Sequence, residues 1–208
     1  GIASFVTAYD AHYKMNLDTS DRIEACMLGS GSAPRSLIGG FVLMDHSNNY
    51  NCTQILQKDD WSVDVLICIA SRETKKISSR EGMEISKRTS PLYQDWLDTN
   101  EKHISLALDA IKEKNMSRLE NVTEENCNFM HEVMKTSTPP IIYMNNVTHS
   151  CLAEIENLRA SGHKLFYTID AGPQIKIICD PKSTDTIKDT ICLLYTSDAA
   201  DDTPCVDL

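Results

Sequence analysis

Three short stretches of this 208-residue chain hold residue types that can do chemistry. The first is Gly29-Ser30-Gly31-Ser32-Ala33-Pro34-Arg35-Ser36. Its glycines let backbone approach a ligand closely, and a helix starting after Ser32 would turn N–H groups and a positive dipole end toward an anion. Ser32 and Arg35 would share one face of that helix, and the guanidinium could grip a carboxylate or phosphate through two parallel bonds. The second stretch is Ser78-Ser79-Arg80-Glu81-Gly82-Met83, two hydroxyls beside an arginine in a polar loop after an apolar strand pattern. Such a set can hold a phosphate. The third is Asp170-Ala171-Gly172-Pro173, where an aspartate at the mouth of a hairpin can orient or deprotonate a hydroxyl. Taken singly, each has a commoner reading: a helix cap with a surface arginine, a solvated turn, and the turn chemistry of Asp before Gly.

These stretches need elements to carry them. Phe5, Val6, Tyr9 and Tyr13 recur at helical spacing and predict a helix over 3–16, with a second over 20–28 capped by Asp18 or Ser20. Ser32 is the expected N-cap of a third helix running to about Gly40, with Pro34 tolerated in its first turn. Residues 45–60 read as polar loop, 62–70 as a buried strand, and 71–82 as a second polar loop. Long amphipathic helices follow over about 92–114, with Trp96, Ile104, Leu108 and Ile111 on one face, and 117–134. Thr148 is the expected cap of a further helix that Gly162 ends. Two apolar runs, 165–169 and 175–179, flank the Asp-Ala-Gly-Pro turn as a hairpin. The mixture is α+β.

Bulk properties narrow the classes. A net charge of −10 argues against a general nucleic-acid binder. No run reaches the roughly 18–20 apolar residues of a membrane span. Eight cysteines without a CxxC pair, several in apolar patterns, read as small buried hydrophobes in a reducing cytoplasm. Residues 71–90 are locally basic: Arg72, Lys75, Lys76, Arg80, Lys87 and Arg88 face only Glu73, Glu81 and Glu84. A basic stretch in an acidic chain can mark an anion site, or be a solvated loop and helix start.

In combination the stretches say more. Gly29–Ser36 followed by Leu37-Ile38-Gly39-Gly40-Phe41-Val42, then Ser78–Met83, Ser137-Thr138-Pro139-Pro140-Ile141 and Tyr167-Thr168-Ile169-Asp170-Ala171-Gly172-Pro173 resemble, in order and spacing, the diphosphomevalonate decarboxylases of the GHMP small-molecule kinases. Ser79-Arg80 and Thr89–Asp98 look like the bacterial branch. The resemblance implies a GHMP kinase-type two-domain fold: 1–55 ending an N-terminal domain of the ribosomal-S5-like kind, and 56–191 forming the C-terminal GHMP domain. It implies ATP-dependent decarboxylation of mevalonate 5-diphosphate to isopentenyl diphosphate, with ATP bringing Mg2+, in a cytoplasmic enzyme without nucleic-acid or membrane partners, a homodimer being compatible with the full-length form. It matches Asp170 to the catalytic aspartate and Arg35 to the arginine holding the substrate carboxylate. Ser30 and Ser32 match serines lining the substrate site, Ser79 and Arg80 the pair gripping its diphosphate, and Met83 a wall residue. Ser4 matches the first serine of a nucleotide phosphate loop.

Departures shape the expectation for this chain. Phe5 stands where the family's phosphate loop has a second serine, and a phenyl ring cannot donate that hydrogen bond. Pro34 replaces the usual Cys or Ser, and Met44-Asp45 the common Glu-Trp. The family's N-terminal lysine and tyrosine have no counterpart, so the chain reads as an inactive fragment of an enzyme. The alternatives are a GHMP kinase that phosphorylates without decarboxylating and a non-catalytic GHMP-like binding protein. Residues 192–208, with Cys192-Leu193-Leu194-Tyr195-Thr196-Ser197-Asp198, read as the translation of a sequencing adapter, an acidic foreign tail expected to pack on nothing. Its coding DNA should carry the adapter's codons; codons unlike the adapter would end that idea.

Overall fold

The computed structural model describes residues 1–45, 51–198 and 206–207. The chain divides at Ser62/Val63 into two compact units.

In the first unit, α1 (Ile2–Tyr13) and α2 (Thr19–Gly29) enclose a small core of Ala3, Val6 and Cys26. α1 ends where Lys14 turns left-handed at φ 51°. Asp10, 4% exposed, stitches the connection: it accepts from Leu17 N–H at 3.1 Å and from Arg22 Nε and Nη2 at 3.0 and 2.6 Å. The backbone bond from Leu17, joined by Arg22, holds its carboxyl below the usual 3.8 against the opposing effect of desolvation. Asp18 caps α2 by accepting Asp21 N–H, as expected. The expected helix from Ala33 to Gly40 is only a 3-10 helix, Ala33–Leu37, and the Ser32 side chain makes no capping bond. Within 45–60, expected as loop, Asn51–Leu56 is instead a strand, β2, paired antiparallel with β1 (Phe41–Asp45). Half of β2 is polar, and pairing with β1 makes it a strand despite its lack of apolar alternation.

The second unit is an antiparallel sheet with helices. β3 (Asp64–Cys68) sits beside β5 (Ile175–Cys179), which pairs with β4 (Leu165–Ile169), the two joined by the expected hairpin turn. β5 alternates buried Ile175, Ile177 and Cys179 with half-buried Lys176 and Ile178. These meet Ile155 and Leu158 of α6 (Asn146–Ala160) and Ile187 and Ile191 of α7 (Thr184–Asp198) in one core. α6 is capped by Asn145, not Thr148; Thr148 instead completes a reciprocal capping box. Gly162, at φ +95°, lies just past its end.

α3 (Ser79–Thr89) begins inside the stretch expected as loop, because Ser78 accepts Glu81 N–H at 3.2 Å as its N-cap. α4 (Tyr93–Lys112) and α5 (Met116–Lys135) fall close to their expected bounds. The buried face of α4 differs, however: Ile104 is 40% exposed, while His103 is buried and meets Asn126 of α5 at 3.0 Å. Six cysteines are buried, and none of the seven described is in a disulfide.

The tail expectation is corrected in part. α7 runs on to Asp198, and β6 (Val206–Asp207) pairs with Ile67 and Leu66 of β3. A bare strand edge accepts backbone of any sequence, so an extended segment can dock whatever its origin. The remaining tail residues, 199–205 and 208, lie outside the described residues.

β4 is an edge strand of that sheet, and side chains take the place of a neighbour. Leu165 C=O accepts from Arg159 Nε at 3.0 Å, and Tyr167 N–H donates to Glu124 at 3.0 Å. Ile169 N–H donates to Cys127 Sγ at 3.2 Å, and Ile169 C=O accepts from His131 Nε2 at 3.1 Å. Glu124, Cys127 and His131 follow one stripe of α5. Arg159 also pairs with Glu124, with Glu120 at 3.3 Å and with Glu156 at 2.9 Å, tying α5, α6 and β4 together.

Arg159→Ala should destabilise the protein by about 3 kcal/mol, because Glu124 stays behind as a largely buried carboxylate without its cation. Glu124→Gln should cost less, since an amide oxygen still accepts the Tyr167 N–H. Urea unfolding measures both; a wild-type midpoint for Arg159→Ala would show that the pair contributes nothing.

Candidate active site

The start of α3 is held from behind. Tyr143 OH donates to Ile77 C=O at 3.2 Å, and Gly82 makes room for it, since a Cβ there would stand 2.7 Å from the hydroxyl. Ser79 and Arg80 therefore lie exposed on the first turn of α3, with Met83 half-buried one turn on. N–H groups at a helix start together with a hydroxyl and a guanidinium suit an anion.

Asp170 leaves the end of β4 with its side chain 81% exposed and its carboxylate paired to Lys176 on β5. The turn behind it is fixed: Gly172 N–H donates to Asp170 C=O at 2.7 Å, and Pro173 C=O accepts from Thr148 at 3.0 Å. Gln174 closes the end of β3, accepting Ala70 N–H at 2.6 Å and donating to Ser71 C=O at 2.5 Å. Lys75 joins the two halves. Its Nζ donates to Ser79 Oγ at 2.9 Å and to Ala171 C=O at 2.8 Å. The phosphate-type helix start and the aspartate turn are thus neighbours within the second unit. A cleft of about 500 Å³ beside them is lined by Ser71, Lys75, Ile77, Tyr143 and Pro173 among others, but not by Asp170, Ser79, Arg80 or Met83.

In the first unit, Ser30 Oγ lies 3.2 Å from Ser32 Oγ, and Arg35 is exposed on the 3-10 turn. Arg35 is close enough to Cys52 to draw its thiol pKa down, although burial wins and raises it. Ser4 is exposed in the first turn of α1, and beside it Phe5 is 68% exposed, its ring 5.9 Å from Tyr9. Asp170, Ser79, Arg80 and Met83 belong to the second unit; Arg35, Ser30, Ser32 and Ser4 belong to the first.

Local sequence gives Lys75, Cys127 and His131 no mark beyond the place of Lys75 among the basic residues of 71–90. Cys127 and His131 sit on the sheet-facing stripe of α5, and a histidine there was the one available signal. No group of three or more His, Cys, Asp or Glu among the described residues could hold a metal ion. A Mg2+ ion carried by nucleotide phosphates needs only one or two protein carboxylates.

Helices packed on an antiparallel sheet give the α+β, GHMP kinase-type fold of the solved structures this chain resembles. Residues 65–206 match the mevalonate 5-diphosphate decarboxylase C-terminal domain, and the chain belongs to that family. It is 34% identical over 200 residues to the diphosphomevalonate decarboxylase of Ganoderma lucidum, covering 88% of this chain and 48% of the relative. The zebrafish enzyme, from Danio rerio, is 32% identical over 158 residues, 72% of this chain and 40% of its own length. Mevalonate diphosphate decarboxylase from Staphylococcus aureus superposes with a TM-score of 0.86 at 31% identity, over 99% of this chain and 62% of the other. MDDEF in complex with MVAPP, AMPPCP and magnesium gives 0.83 at 31%, over 93% and 60%. The chain spans about half the length of the curated relatives it matches. No described helix is long and apolar enough to cross a membrane.

Burial, the largest cause, holds the His131 imidazole below its ordinary 6.5, opposed by the bond to Ile169 C=O and the charge of Asp170. Glu132, Lys135 and His149 share its cleft. With the folded value below the unfolded one, the unfolded chain binds this proton first. The neutral ring's contribution to stability is therefore intact above about pH 6.5 and is lost as pH falls through the folded value. Urea midpoints measured across that range should fall less steeply in His131→Gln than in wild type; superimposable profiles would contradict the assignment.

Proposed function

We propose that these residues serve the ATP-dependent decarboxylation of mevalonate 5-diphosphate. Family membership supports the reading, and the observation that carries it is Lys75, which ties the aspartate turn to the start of α3. One ligand with a hydroxyl at one end and a diphosphate at the other can then meet both. The tertiary hydroxyl faces Asp170, which orients it and takes its proton as the γ-phosphoryl group arrives from ATP. Arg35, with Ser30 and Ser32, holds the substrate carboxylate. Ser79, Arg80 and the α3 N–H groups take the diphosphate, with Met83 as a wall, while Ser4 opens the turn that meets the nucleotide phosphates. Phosphate then leaves the tertiary carbon with its bonding electrons. The carboxylate's C–C pair becomes the new double bond, giving CO2 and isopentenyl diphosphate, with ADP from the first step. Mg2+ bound by ATP supplies charge compensation; positioning supplies most of the rest.

The products separate this reading from a GHMP kinase. A full-length relative carrying these residues should release CO2, ADP and phosphate in equal amounts from mevalonate 5-diphosphate; ADP without CO2 would place it among the kinases, and absence of nucleotide binding among the binding proteins. In the same protein Arg80→Ala should raise the KM for mevalonate 5-diphosphate roughly ten- to a hundredfold, the size of a lost charge-assisted contact of about 1.5–3 kcal/mol. The KM for ATP should move far less, and an effect confined to ATP would refute the role of Arg80.

A further inference from the structure

Asp170 is exposed, yet a general base must be aimed to within a fraction of an ångström. Its aim depends on the peptide plane from which it projects. That plane contains the Ile169 carbonyl, and this carbonyl accepts from His131 Nε2 at 3.1 Å. A carbonyl oxygen only accepts, so Nε2 carries the proton. One turn earlier on α5, Cys127 Sγ accepts Ile169 N–H at 3.2 Å. On the other side, Lys75 holds Ala171 C=O and Gly172 N–H holds the carbonyl of Asp170 itself. Asp170 is therefore clamped fore and aft through its backbone, while its side chain, paired to Lys176, stays 81% exposed. His131 itself lines a separate cleft of about 410 Å³ with Asn128, Tyr143 and His149, and Asp170 is not in that lining.

We propose that His131 is a positioning residue for Asp170, acting through the Ile169 carbonyl and not by touching substrate. The inference rests on the catalytic reading of Asp170. A role of this kind moves kcat and leaves substrate affinity alone, whereas a lost binding group moves KM. It also depends on a donor at the Nε2 position, which a glutamine supplies and a phenyl ring does not.

The test uses a full-length enzyme carrying these residues, with His131→Phe, His131→Gln and Asp170→Ala made side by side. His131→Phe should lower kcat about tenfold or more with both KM values within about twofold, and His131→Gln should recover most of the loss. A wild-type kcat in His131→Phe overturns the inference, as does a loss carried by KM, or a glutamine variant as slow as the phenylalanine one. If Asp170→Ala keeps its turnover, the catalytic reading has failed and the inference falls with it. If Asp170→Ala is dead and His131→Phe is normal, only the inference has failed. Should His131→Phe not fold, Cys127→Ala, which removes the acceptor of Ile169 N–H, takes its place under the same expectation, and a wild-type kcat there overturns the clamp.

Discussion

Backbone N–H and C=O groups at a sheet edge need partners, and in the second unit that need falls on the strand ending at Asp170. Among the described residues, β4 pairs with β5 on one side and with no strand on the other. Its outer groups at Leu165, Tyr167 and Ile169 are met by Arg159, Glu124, Cys127 and His131. An orphaned backbone group in this half-buried setting would cost about 1–3 kcal/mol, so three or four together rival the whole stability of a domain. The sequence of α5 is constrained accordingly: its inner stripe must carry polar atoms at fixed intervals where packing alone would call for leucine or valine.

That arrangement explains why charge is found so close to the core. Glu124 is pushed up by burial, and the Tyr167 N–H and the Arg159 guanidinium pull it back down. Such a pair adds little net stability over an apolar substitute, and its value is orientation. The bulk of the free energy comes from Ile155, Leu165, Ile169, Ile175, Ile177 and Ile187, all at or near zero exposure. The apolar layer holds the sheet together, and the polar stripe fixes how its edge is presented. Asp170 and Ala171 lie where the two meet, with Lys75 carrying the register across to Ser79.

Local pattern was enough for much of this. The hairpin around Asp170, both helices of the α4–α5 pair and the cap of α2 follow from periodicity, turn chemistry and an Asp at the right place. Failures have identifiable causes. Asn51–Leu56 carries too little apolar alternation to announce a strand, and only β1 makes it one. Ser78 and Glu81 form a helix-start signature that the surrounding charges masked. Ile104 and His103 are adjacent, so a small error in the phase of α4 exchanged an exposed isoleucine for a buried histidine. The candidate site residues stand out in the sequence only through the order of their motifs along the chain, and their roles remain the proposal made above. Lys75 does not stand out, since its partner Ala171 is 96 residues away; His131 and Ile169 are 38 apart. Contacts of that span leave no local trace.

One of the four groups sealing β4 is a thiol. Burial raises the Cys127 pKa above the ordinary 9.0, outweighing its bonds to Ile169 and Thr168. Little thiolate then exists at neutral pH, and alkylating reagents and peroxide act on thiolates. The strand end beside Asp170 is thereby insulated from covalent chemistry that reaches more open cysteines. Were Cys127 ever oxidised, its sulfur would carry polar oxygens into a buried position 3.2 Å from Ile169 N. The chemical inertness of this sulfur is thus a condition for using it as a structural acceptor at the strand end that leads into Asp170.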